Sequence, residues 1–223
     1  MSIRSITHKE SLDGVWEDLT YSEARLLSDA DARDLAPAVS GLIERCEKIR
    51  LEQRATWRAE ICAQAAVDAA DDALDAAVLG CSGVLLEVVQ QDRSSPRYQR
   101  YFKRAPSLVL RLGLQSELEV VQGWPDSLAT EPEEPLKMAG QALSMAIAIG
   151  EGALEARRKA ASERSDQRVR GVLPFLDDAN RVRLSLYGEL VRRGVEKKLG
   201  KGWARGFFPV GRRSDKEELD GDG

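Results

Sequence analysis

DDALDAAVLGCSGVLLEVVQQDRSSPRYQRYFKR, residues 71–104, and DDANRVRLSLYGELVRRGVEKKLGKGWARGFFP, residues 177–209, follow one plan. Each opens on Asp-Asp-Ala and continues through an apolar run holding Gly83 and Leu85, or Gly188 and Leu190. Each ends on a tip that mixes aromatic and basic residues. The offset is 106 at the Asp-Asp-Ala triplet and 105 at the glycine, the leucine, Tyr98/Trp203, Arg100/Arg205 and Phe102/Phe207. A fixed offset is the mark of one supersecondary unit used twice. It predicts an all-α fold, an elongated antiparallel helical bundle with long helices, built from two pseudo-repeats that share one core.

Composition agrees with helix. Of 223 residues, 43% are hydrophobic, 31% are charged and only 5% are aromatic, which fits a soluble chain with a core. Alanine, leucine, arginine and glutamate, which lose little on entering a helix, are abundant, and β-branched runs are scarce. Charge is split along the chain. Residues 1–150 carry a net −8 and residues 151–213 a net +8, with an acidic segment after them. Such a chain suits head-to-tail association or an acidic partner. No apolar run reaches the roughly 18 residues a membrane span needs, so no membrane role is expected. Three cysteines, Cys46, Cys62 and Cys81, lack CxxC spacing and read as core residues of a cytoplasmic protein.

Residues 1–20 read as a flexible N-terminal arm, 21–124 as the first helical repeat, 125–135 as a linker rich in proline and glutamate, 136–213 as the second repeat, and 214–223 as a disordered acidic tail. Within the first repeat, Val39, Leu42, Ile43, Cys46 and Ile49 form one helical stripe. Beyond them Trp57, Ile61, Ala65, Ala69 and Ala73 run opposite Cys62, Ala66, Ala70, Leu74, Val78, Cys81, Leu85 and Val88, which predicts a helix buried on more than one face. Pro106 opens a short helix with Leu108, Leu112 and Leu118 inward. In the second repeat, Leu136, Ala139, Leu143, Ala146, Ile147, Gly150 and Leu154 form a stripe. A polar middle follows at 155–170, matching one near 44–60. Gly171 and Pro174 predict a break or kink. Val172, Leu176, Ala179, Val182, Leu186 and Leu190 form the last stripe, with Gly200 and Gly202 as helix stop.

The two tips are the candidate partner-binding surfaces: Arg97, Tyr98, Arg100, Tyr101, Phe102 and Arg104 in the first, and Lys201, Trp203, Arg205, Phe207 and Phe208 in the second. Guanidinium groups fork onto phosphates and flat rings stack on bases, so nucleic acid is one reading. In the bland alternative, the rings cap the ends of the bundle while the cations sit in water at helix C-termini. Asp68, Asp71, Asp72 and Asp75 lie three and four residues apart on one helix face, where carboxylates can take a divalent cation or remain solvated. The single histidine, His8, excludes histidine-based triads, ordinary zinc sites and the di-iron bundle motif. Gly80-Cys81-Ser82-Gly83 has no preceding strand and no base, and phosphate loops are absent. No catalytic residue, cofactor or metal is assigned. The expectation is a non-enzymatic structural, scaffolding or assembly protein acting through self-association or protein–protein contacts, as a homo-oligomer or with a protein partner. The alternative is a module binding nucleic acid or an acidic partner through the basic-aromatic tips at 93–104 and 192–213.

Overall fold

The protein is described by a computed structural model over residues 3–200 and 202–209, and its secondary structure there is helical throughout. Eight α-helices follow in order: α1 (Leu12–Leu27), α2 (Ala36–Val88), α3 (Pro96–Gln99), α4 (Pro106–Val109), α5 (Leu114–Val121), α6 (Trp124–Ala129), α7 (Glu134–Gln167) and α8 (Leu173–Glu196). Short 3-10 turns at Arg33–Leu35 and Ala204–Phe207 complete the set. No described helix is long and apolar enough to cross a membrane.

The long stretches are continuous. Residues 36–88 form one helix of 53 residues. Between α7 and α8 the helix widens into a π segment at Arg168–Val172 instead of breaking. Pro174 follows in the first turn of α8. Its missing N–H and its ring disturb a regular α ladder at this point, and a wider turn is a known way to absorb that disturbance. Gly200 and Gly202 do not stop α8. The left-handed residue is Lys198 (φ 56°), and the Leu199 N–H closes the last turn onto the Gly194 carbonyl at 2.9 Å. At the end of α2, Gln90 (φ 53°) does the same, with the Gln91 N–H on the Leu86 carbonyl at 2.7 Å. Both are Schellman closures that satisfy carbonyls otherwise left open.

The chain folds as two compact units. The first holds residues 3–55 and 165–209 of the described chain, the second 56–164. The domain boundaries expected above therefore differ, and each unit has its own core. The polar middles at 44–60 and 155–170 supply the reason, since each interrupts its apolar stripe near the point where the units divide.

In the first unit, α1 packs with the start of α2 and with α8. Residues 12–20 are helix, not flexible arm. Ser11 caps α1 by accepting from the Gly14 N–H at 3.1 Å, and Leu12, Val15, Leu19 and Leu26 are buried. Ile3 and Ile6 join the same core, and the Ile6 N–H donates to Asn180 Oδ1 at 2.8 Å. Arg45 pairs with Asp178 and Arg193 with Asp34, which sets α2 and α8 antiparallel within the unit.

In the second unit, the later half of α2 packs with α5, α6 and α7. The expected linker is mostly helix. Pro125 lies in the first turn of α6, where a missing N–H costs nothing, and Leu128 is fully buried. Leu136, Leu143, Ala146 and Gly150 of α7 face this core as the stripe predicts. The first half of the double-faced reading of α2 does not hold. Ala70, Leu74, Val78, Cys81 and Leu85 are buried, whereas Trp57, Ile61 and Cys62 are exposed. Leu108 and Leu112 are also exposed; Leu118 is buried as expected, and Val109 and Leu114 take the other inward places.

Gly140 marks a close approach. A methyl group there would lie 2.9 Å from Leu128 Cβ and 3.3 Å from the Pro125 carbonyl. Gly83 on α2 has open space around it. Gly83→Ala is expected to stabilise by about 1 kcal/mol through helix propensity. Gly140→Ala is expected to destabilise, because overpacking of about 1–3 kcal/mol exceeds that gain. Urea denaturation of both variants checks this; a gain at both positions would contradict the tight fit of α6 on α7.

Candidate functional site

The first tip is built around a ring cluster. Tyr98 stacks on Phe102 at 5.2 Å, and Phe102 meets the edge of Trp124 at 4.8 Å. Tyr101 also meets Trp124 edgewise at 5.7 Å. Tyr98 shares a hydrogen bond of 2.9 Å with Ser82 of α2, and the Tyr101 hydroxyl donates to Ser127 Oγ at 2.9 Å. Tyr98, Tyr101 and Phe102 are buried. Their faces are occupied by one another and by the core, so they are closed to base stacking. Arg97 forks between Glu131 and Glu133, donating from Nε to Glu131 at 3.0 Å and from Nη1 to Glu133 at 2.8 Å. These carboxylates raise the Arg97 pKa, and Arg97 holds Glu133 below the usual carboxylate range.

The second tip also holds a buried ring pair. Trp203 meets the edge of Phe207 at 4.9 Å, covers Gly194, and donates its indole N–H to Asp29 at 2.9 Å. Phe207 and Phe208 are buried and Trp203 is half-buried. Of the candidate partner-binding residues, Arg100, Arg104 and Arg205 remain exposed. Lys201 lies outside the described residues, as does the acidic segment 214–223. Arg100 and Arg104, with Lys103, rim a cavity of about 330 Å³ whose floor includes Leu108, Leu112, Val120 and Trp124.

The aspartates separate. Asp68 accepts from Gln64 at 2.7 Å and, with Asp72, is exposed. Asp71 and Asp75 turn toward Glu117 of α5, which is fully buried. Neither Glu117 oxygen has a hydrogen-bond donor among the described residues, nor has one oxygen each of Asp71 and Asp75. Burial, with Asp75 and Asp71 beside it, pushes the Glu117 pKa up to about 8. The side chain is therefore largely a neutral acid at pH 7, able to share its proton with Asp75. Among the described residues no three such side chains converge as a metal site. Asp177 and Asp178, the equivalent pair in the sequence, sit instead against His8 at 2.8 Å and against Arg45 and Arg181.

The sequence reading missed Glu117 and Arg183. Arg183 is buried in the first unit with all three guanidinium nitrogens unpartnered, 5.7 Å over the Phe208 ring. Burial lowers its pKa, and Asp18 partly offsets this. The signal was present: Arg183 falls on the heptad spacing of Leu176, Ala179, Leu186 and Leu190. Glu117 likewise falls between Leu114 and Val121. Cys46 and Cys81 are buried, with thiol pKa values pushed up to about 11 and about 12, which makes them poor nucleophiles.

The outward face of α7 was missed as well. Residues 138–150 contain no charged side chain. Met138, Met145 and Ile149 are 62%, 68% and 56% exposed, and Ala142, Gly152 and Ala156 on the same face are exposed too. Comparison with protein-family models, with curated proteins and with solved structures finds no match for this chain.

Two outcomes test this geometry. Phe102→Ala is expected to cost about 3–5 kcal/mol of stability, as for any buried ring, whereas Arg104→Ala stays within about 0.5 kcal/mol. A Phe102→Ala protein of unchanged stability would make the ring a surface contact. Glu117→Gln tests the buried acid. Folded Glu117 keeps a proton that the unfolded chain, with a pKa near 4.5, releases. Wild-type stability therefore falls as pH rises from about 4.5 to 8, by up to about 1.4 kcal/mol per pH unit. The advantage of Glu117→Gln should grow over that window and level off above it. Denaturation at pH 5 and pH 8.5 giving equal differences would contradict a buried neutral acid.

Proposed function

We propose that this protein is a non-enzymatic assembly or scaffolding component that works through helix–helix contacts with another protein chain. The observation that carries the reading is the outward face of α7. A helix apolar all round belongs inside a structure, yet α7 has one apolar side in the core of its unit and another in water. Exposed apolar side chains in a contiguous row are a usual mark of an interaction surface. The reading also takes the segments 71–104 and 177–209 as copies of one module. In support, each ends its helix in a Schellman closure and then packs a ring pair four residues apart, Tyr98–Phe102 and Trp203–Phe207. Cytoplasmic residence goes with it, on three unpaired thiols.

A second reading, an acidic partner at the first tip, is favoured by the cationic rim of Arg100, Lys103 and Arg104 over an apolar floor. Nucleic acid draws less support, because the rings that would stack on bases are buried.

Light scattering on the eluting wild-type protein is expected to give a mass above the 24.6 kDa of one chain. Met145→Glu should lower that mass while leaving the helical circular dichroism signal unchanged. A single-chain mass for the wild type at every concentration up to about 100 μM would contradict assembly with itself. Added to full retention of function by Met145→Glu in the native host, it would remove the α7 face from the account.

A further inference from the structure

The exposed face of α7 has an ordered pattern. Met138, Ala142, Met145, Ile149, Gly152 and Ala156 recur at alternating steps of four and three residues. That alternation is the heptad seam of a helix pair. The large residues Met138, Met145 and Ile149 lie toward its N-terminal part and centre, and the small Gly152 and Ala156 at its C-terminal end, with Ala142 between the methionines. All lie in the second unit, and all are exposed.

The charges that flank the seam decide what can cover it. Glu134 and Lys137 stand at its N-terminal end, Glu155 and Lys159 at its C-terminal end. Their side chains are all at least a third exposed or classed as exposed. On a helical projection at 100° per residue, Lys137 and Glu155 fall on the same side of the seam at the same angle. Glu134 and Lys159 fall together, closer to its centre. Two identical helices laid side by side in parallel turn this flank of each copy to opposite sides of the contact, so Lys137 and Glu155 do not meet across it. Laid antiparallel, they set Lys137 against Glu155 and Glu134 against Lys159, at both ends of the contact.

A neighbouring antiparallel register packs the seam. It places Met145 against Ile149, Ala142 against Gly152, and Met138 against Ala156. These are layers of heptad partners in which a long side chain meets a short one at the ends and the backbones approach closely at the glycine. The charge pairs and the packed layers thus fall together in antiparallel registers within two residues of each other. We propose that the occupant of this face is a second copy of the chain, with the two α7 helices antiparallel and Met145 and Ile149 at the centre. The inference rests on the assembly reading above and specifies its partner and geometry.

The test is a charge swap read by sedimentation equilibrium on the full chain. The wild type should form a dimer. Lys137→Glu should weaken it roughly tenfold or more at low salt, by setting like charges opposite each other twice. Lys137→Glu combined with Glu155→Lys should restore the wild-type dissociation constant to within about threefold. Positions 137 and 155 are too far apart along one helix to interact within a chain, so rescue reports a contact between copies. A dimer that ignores both variants, or that Lys137→Glu weakens without rescue, overturns the antiparallel register while leaving assembly intact. A wild type that never dimerises overturns self-pairing itself. Circular dichroism on each variant separates a broken contact from a misfolded chain.

Discussion

The structure depends on how α7 divides its apolar surface. Between Lys137 and Glu151 the helix carries no charge, and Gln141 and Ser144 are its only polar side chains there. One flank is covered within its own unit. Gly140 lets α6 come within methyl-contact distance, and Gly150 does the same for Leu114 and Leu118 of α5. The other flank is bare. A face this apolar has a hydrophobic gain available on burial, at roughly 25 cal/mol for each Å² removed from water. The fold leaves this face without charge and without cover from its own unit.

The buried charges show where each unit departs from a simple greasy interior. Glu117 solves its problem by holding a proton, and Asp71 and Asp75 help to keep it there. Arg183 has no such option, because a guanidinium stays charged at any ordinary pH. Its remaining support is the Phe208 ring and the charges of Asp18 and Glu10 beside it, with Arg4 opposing. Both groups sit on seam positions of short or central helices, where an apolar residue would pack more cheaply. An unpartnered guanidinium in a core costs stability, so Arg183 weighs against the fold that surrounds it.

Much of the fold was legible in the residues. The stripes of α7 and α8 and the inward side of α2 follow directly from spacing, because a helix core repeats every three or four positions. Length was harder to read. The π segment at Arg168–Val172 keeps a helical path through Gly171 and Pro174, where the local rules favour a break. The N-terminal helix was obscured by its mixed composition, since burial of Ile3, Ile6, Leu12 and Val15 depends on α8 being alongside. The tips were legible as rings and cations, but not as an inside and an outside. Which side of Tyr98 and Phe102 meets the core is decided by Trp124 and Ser82, residues remote from or outside the motif. The α7 seam was present in the sequence and hidden by its own neighbour, since an uncharged run with two apolar faces looks like a single broad stripe.

Antiparallel pairing of α7 can be read from a distance between copies. With Cys62→Ser removing the exposed native thiol, a spin label at Lys159→Cys can be placed on each copy. At about 1.5 Å per residue along a helix, antiparallel pairing puts the two labels roughly 35–40 Å apart. Parallel pairing would bring them to about the 8–10 Å separation of the helix axes plus the label arms. A pulsed electron paramagnetic resonance peak near the longer distance is what the account predicts; a short distance, or no dipolar coupling between copies, would contradict it.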